Sequence, residues 1–144
     1  MNWYKFTLSS PGYISLTFSH SYIESSWTYW RAYLYNSTQS SLATYSFQGN
    51  NTLQTSGNIG VPAGTYYIKI DCYEYSNINY NIKINYSTSS VWEKEFNDSY
   101  SSADIIGVNK QYYGSMRNGD DVDWYKFSIS KSGPVSLTFS HDYI

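Results

Sequence analysis

The chain has 144 residues, with nine Lys and Arg against eleven Asp and Glu and a formal net charge of −2. That balance excludes the basic footprint of a nucleic-acid or anionic-membrane binder, and no apolar run reaches the roughly 18 residues of a membrane-spanning helix. The length suffices for one ordinary domain with its own core, but 18 Tyr and 5 Trp are more aromatic side chains than one core can bury with every hydroxyl satisfied.

The first ten residues, MNWYKFTLSS, lack the apolar centre of a signal peptide and read as the middle of a strand, as if the chain began inside a domain. Residues 2–8 alternate, 13–18 alternate again after Pro11-Gly12, and the two are expected to form a hairpin. Strands follow at 27–35 and 42–47, with a turn at 49–51 and a weaker strand over 53–59. VPAG at 61–64 predicts a turn in which Gly64 is free to take positive φ. TYYIKIDCYEY at 65–75 is a strong strand. Its Cys72 has no partner in the chain, so no disulfide forms within it, and the residue reads as a buried strand position. YNIKINY at 80–86 closes the meander, and 88–91 is a short linker. No stretch sustains a helical period; 101–106 allows one helical turn. The class is all-β, with turn signals every ~8–12 residues as in an antiparallel sandwich.

Residues 123–144 repeat residues 2–23 at 14 of 22 positions. That self-similarity implies slightly more than one period, about 121 residues, of a tandem array. On this reading 1–87 is a β-sandwich body without its own preceding acidic segment. Residues 92–144 are then the N-terminal part of the next repeat, an acidic segment plus a WYKF hairpin. That part packs on 1–87 or on a neighbouring chain.

Most of the negative charge sits in two clusters of that second part. Glu93, Glu95, Asn97 and Asp98 form the first; Asp120, Asp121 and Asp123 form the second. Between them IIGV (105–108) and QYYGSM (111–116) read as paired strands that fold the run back and bring the clusters together. Five or more hard oxygen donors in one place are the raw material of a Ca²⁺ cage. Glu93, Glu95 and Asn97 at i, i+2, i+4 share one face of an extended segment. Catalytic patterns are not expected. His20 and His141 are repeat-equivalent and read as structural, and neither HExxH nor CxxC occurs. GSMRNG lacks the ending of a phosphate loop. Clustered carboxylates without apolar shielding favour a metal over a raised-pKa acid. The chain reads as no enzyme.

Several segments together carry a family likeness: EKEFNDS (93–99), SSAD (101–104), YGSM (113–116), GDDVDWYKF (119–127), SGPVSLTF (132–139), PAGTYYIKI (62–70) and YNIKI (80–84). The chain resembles the bacterial pre-peptidase C-terminal domain, a family that includes the collagen-binding domains of clostridial collagenases. The resemblance implies a jelly-roll-like sandwich and a secreted, non-catalytic module at the bacterial cell surface. It implies Ca²⁺ held by Glu93, Glu95, Asn97, Asp98, Asp121 and Asp123, with Ser115 as a carbonyl or hydroxyl donor. It also implies a polymer-binding surface at Tyr73 and Tyr75, facing the same way on the 65–75 strand, with Tyr45 lining it. The ligand would be collagen or a polysaccharide; sugar stacking on Trp27, Tyr29 or Trp30 is equally open. The permuted boundaries motivate an alternative, a self-associating structural repeat. Copies of the chain would then join head to tail into an array or fibre by strand or hairpin exchange.

Overall fold

The strand β2 (Gly12–His20) buries every second residue along its whole length, as a strand must when one face meets a core and the other meets water. Its inward Ile14, Leu16 and Phe18 are almost fully buried. Around it the computed structural model, which describes residues 1–142, builds two antiparallel sheets. Positions 143 and 144, the end of the repeated 123–144 segment, lie outside the described residues.

One sheet runs in the order β1 (Asn2–Leu8), β7 (Gly64–Cys72), β3 (Thr28–Tyr35), β4 (Ser41–Gln48). In the other, β2 pairs along its length with β8 (Tyr80–Thr88). On its other side it pairs with β5 (Leu53–Thr55) near one end and with β6 (Ile59–Val61) near the other. The inner faces of both sheets meet in one apolar core. Phe18 is its centre: its ring stacks on Phe47 at 4.2 Å and 7°, and lies 5.4 Å from Trp30. Burying one such side chain contributes about 1.5–3 kcal/mol. The architecture is all-β and sandwich-like, and no α-helix occurs among the described residues.

The Pro11-Gly12 connection is not a hairpin. β1 pairs in register with β7, and β2 with β8, so the chain changes sheet there. Alternation reports which face of a strand is buried, not which strand lies beside it, and the two patterns are compatible with either pairing. Three other expectations also change. Gly64 already lies inside β7 opposite Leu8, and positive φ occurs at Gln39 and Asn109 rather than at any described glycine. The 53–59 strand is two short ones, β5 and β6. β7 stops at Cys72, which is exposed, not buried.

Residues 92–127 lie against the sheets. Trp92 packs on Tyr13 of β2 with the rings tilted and their centres 4.7 Å apart, and Glu95 N donates to Gly60 O of β6 at 3.3 Å. IIGV and QYYGSM do not pair with each other. Instead β9 (Asp104–Ile105) pairs in parallel with β10 (Tyr125–Lys126), and Tyr113 bridges to Trp92. Gly107 and the Asn109 turn leave the run too irregular for a ladder. From residue 127 to residue 142 every side chain is exposed.

Candidate metal centre

Residues 92–98 carry an inverted pattern: the acids go in. Glu93, Glu95 and Asn97 are 1%, 5% and 0% exposed, while Lys94 and Phe96 between them are only half-buried. This period of two is the shared face expected from their spacing. The segment lies so close to β6 that a side chain at Gly60 would run into the Glu93 carbonyl. It is fixed on its other side by Glu93 N donating to Tyr113 O and Tyr113 N donating to Val91 O, both 2.9 Å. Asp104 holds the outward side. It accepts from Lys94 N at 2.6 Å and pairs with Lys94 Nζ at 3.0 Å.

The second cluster arrives by way of β10. Trp124 N donates to Asn97 O at 3.0 Å and Asp104 N to Trp124 O at 2.8 Å, which sets Asp123 beside the acidic strand. Carboxylate oxygens of Glu93, Glu95 and Asp123 then fall within 4.8 Å of one another, and so do those of Glu95, Asp98 and Asp121. The two groups share Glu95. Asp120 stays outside both, exposed in the Asn118 turn.

The two groups differ in what balances them. The outer one already holds a cation. Arg117, itself nearly buried, donates from Nε to Asp121 Oδ1 at 2.9 Å and from its backbone N to Asp121 Oδ2 at 2.6 Å. Its Nη2 bonds Asp98 and Asp121, and its guanidinium lies 4.5 Å from the Phe96 ring centre. Burial alone would raise Asp121, but these bonds outweigh it and hold the carboxyl below its usual range. The inner group is less well balanced: Arg117 pairs with its Glu95 alone. Glu93 accepts from Ser115 N and, at 3.0 Å, from the Tyr125 hydroxyl. Both oxygens of Glu95, both polar atoms of the Asn97 side chain and Asp123 Oδ1 are buried without a hydrogen bond. Arg117 Nε lies 2.9 Å from Glu95 Oε2 but donates to Asp121 instead.

Burial with too little compensating charge shows in the acidities. Burial pushes Glu95 up to about 9; Arg117 offsets part of this, and neighbouring acids add to it. Burial lifts Glu93 to about 7, against the Ser115 bond and with the help of Asp123. Asp123 is raised too, by burial first. Glu93 and Glu95 are therefore shielded from water, contrary to the lack of shielding read from the sequence. Buried oxygens this numerous normally have hydrogen bonds or a bound ion, and the clusters could hold a metal ion. Five carboxylates around one guanidinium leave the inner group the natural place for it.

Every residue assigned to the metal lies at or beside this centre, with distinct parts. Glu93, Glu95 and Asp123 converge, and Asn97 is buried on the same face of the strand. Asp98, more exposed, and Asp121 are held by Arg117. Ser115 spends its N on Glu93 and its hydroxyl on Asn58 O at 2.7 Å. Arg117, Tyr125 and Gly60 were not legible as site residues. Only the placement of an Arg between the clusters hinted at the first.

The tyrosines separate. Tyr73 and Tyr75 are exposed, but beyond the end of β7, so strand geometry does not align them. Tyr45 packs against the core and is raised by burial, so it lines no surface with them. No protein-family model matches the chain, and no curated protein matches it.

Proposed function

We propose that this chain is a non-catalytic, calcium-stabilised binding module of a secreted bacterial protein, one that attaches its parent to an extracellular polymer such as collagen or polysaccharide. The observation that carries the reading is the set of orphaned buried oxygens on Glu95, Asn97 and Asp123 beside Glu93. All are hard donors, from segments about 30 residues apart. A flexible, oxygen-only site of this kind suits Ca²⁺ better than a soft metal that seeks nitrogen or sulfur. Glu93, Glu95, Asn97 and Asp123 would hold the ion, and Arg117 would keep Asp98 and Asp121 in place around it. The same residues support the likeness to pre-peptidase C-terminal domains and, with it, a jelly-roll path. Calcium would join the acidic strand to β10 and stiffen both against β6.

The test is thermal unfolding with and without calcium. An ion at a hundredfold excess over Kd adds about 2.7 kcal/mol, which at about 2–4 °C per kcal/mol raises Tm by about 5–10 °C. Glu95→Gln together with Asp123→Asn should remove the rise. An unchanged Tm in millimolar calcium would end the metal reading.

One observation favours the second reading, self-association. Residues 136–141 repeat the SLTFSH of 15–20. Yet Leu137 and Phe139 are 90% and 82% exposed, where Leu16 and Phe18 are 4% and 0%. A strand with that apolar face is complete only beside a body like 24–87, which another copy can supply by strand exchange. Concentration-dependent light scattering, abolished by Leu137→Asp, would support it; a monodisperse monomer at high concentration would exclude it.

A further inference from the structure

We propose that the outer face of the β1-β7-β3-β4 sheet is a binding surface for an anionic polysaccharide, a polyuronate or sulfated glycan. The proposal rests on the binding-module reading, names its ligand class, and moves the site away from Tyr73 and Tyr75.

Register defines the face. Tyr4, Ile68 and Leu34 align across β1, β7 and β3, as do Ile70 and Ala32 across β7 and β3, and of these the Ile, Leu and Ala side chains are core. The intervening rows must point outward. One row is Trp3, Lys69 and Tyr33; the next is Lys5, Tyr67 and Tyr35; Asp71 and Arg31 begin a third. An outer sheet face is ordinarily polar, but this one alternates rings with cations. Lys69 Nζ sits 4.0 Å from the Tyr33 ring centre, Lys5 Nζ 5.8 Å from Tyr67, and the Arg31 guanidinium 4.1 Å from Tyr73 at the rim. Trp3 and Tyr35 are 5.7 Å apart, and Tyr33 and Tyr35 are stacked at 6.4 Å.

At the lower edge these rings open into a cleft of about 410 Å³ lined by Trp3, Tyr35, Ser37, Gln39 and Tyr67. Its polar wall is held in place. Asn36 Oδ1 accepts from Thr38 N, Thr38 Oγ1 and Ser40 N, and Gln39 is fixed at φ 63°. Flat rings on a rigid sheet bind at little entropic cost, and they match the apolar face of a pyranose. Hydroxyl and amide groups at one edge supply hydrogen bonds to its equatorial oxygens.

Charge chooses among polymers. Lys69 on this face already pairs with Asp71 at 2.8 Å, which leaves Lys5 and Arg31 as its unneutralised cations, in a chain whose net charge is −2. A neutral glucan would use the rings and leave those cations idle. A polymer with one carboxylate or sulfate per sugar uses both, since each cation already lies beside a ring.

Affinity electrophoresis of the full chain in gels containing polygalacturonate, set against gels containing a neutral β-glucan, tests this. The expected result is retardation by the polyanion alone, weakened by salt. Two variants on exposed positions should each weaken it about tenfold, the size of a lost anchor residue. These are Trp3→Ala, which removes a ring, and Lys5→Glu, which reverses a charge; both should keep the wild-type Tm. Retardation that survives both variants, or falls only in Tyr73→Ala/Tyr75→Ala, would overturn the face. Retardation by the neutral glucan, or binding to collagen, without any by polygalacturonate would overturn the ligand class and leave the module reading standing. Failure with every polymer would remove both, while the calcium-dependent Tm reports separately on the metal.

Discussion

Arg117 decides how the acidic centre is divided. Its guanidinium hydrogen-bonds Asp98 and Asp121 and is ion-paired with Glu95 at 2.9 Å without a hydrogen bond to it. Removing one partner of a buried ion pair costs about 3–5 kcal/mol, because the other charge stays behind in the low-dielectric site. Arg117→Met should therefore destabilise the metal-free protein by about that amount, measured by denaturant unfolding. Added calcium should recover part of the loss, since the ion can then draw Asp98 and Asp121 toward itself; a structural arginine remote from the metal would give no such recovery. Glycine at 60 makes a complementary prediction. A Cβ there meets the Glu93 backbone, so Gly60→Val should push the acidic strand off β6. It should cost calcium affinity more than it costs the β-sheet circular-dichroism signal.

Strands carry the clearest contrast between what the chain's letters say and what they do. SLTFSH occurs twice. In β2 it lies between β8 on one side and β5 on the other, and Phe18 has Phe47, Trp30 and Tyr80 around it. At 136–141 the same letters lie open. Phe18→Ala should cost about 3–5 kcal/mol, the transfer term plus a cavity. Phe139→Ala should fall within about 0.5 kcal/mol of zero. Comparable losses at both sites in urea titrations would mean that the second strand is covered in solution. His20 shows the same split: both its ring nitrogens face carbonyl oxygens, of Ser21 and Gln48, whereas among the described residues His141 has one such contact, to Asp142 O. Alternation made β2, β7 and β8 legible, because a period of two needs only the local sequence. Pairing was not legible: whether β1 meets β2 or β7 depends on residues some 60 positions away. The inward face of Tyr45 was missed for the same reason, since six Tyr in β3, β4 and β7 all read alike until the register is known.

At the scale of the whole molecule, the acidic clusters were legible as a pair that converges, and their burial was not. Acids alternating with Lys94 and Phe96 look like a solvated strand until β6, Tyr113 and β10 close over them. That burial gives the protein an unusual dependence on pH. Glu93 and Glu95 are raised from 4.5 to about 7 and about 9, by burial first, so the folded state holds their protons more tightly than the unfolded chain. Their contribution is complete below about 4.5 and is lost as pH climbs through 7 and then 9, because stability falls wherever the folded state binds more protons. Asp121, held down by Arg117 against its burial, works oppositely: its contribution is present above the usual Asp range and lost in stronger acid. Without calcium, Tm should therefore be highest on the acid side of neutrality and decline steadily toward pH 9. Calcium reverses the slope. Ligands must lose their protons to bind it, so the rise in Tm on adding calcium should be small at pH 5 and largest at pH 8–9. Calorimetry across that range, with and without the ion, gives the two curves. They should converge in acid and diverge in base; parallel curves would mean that calcium acts somewhere other than Glu93 and Glu95.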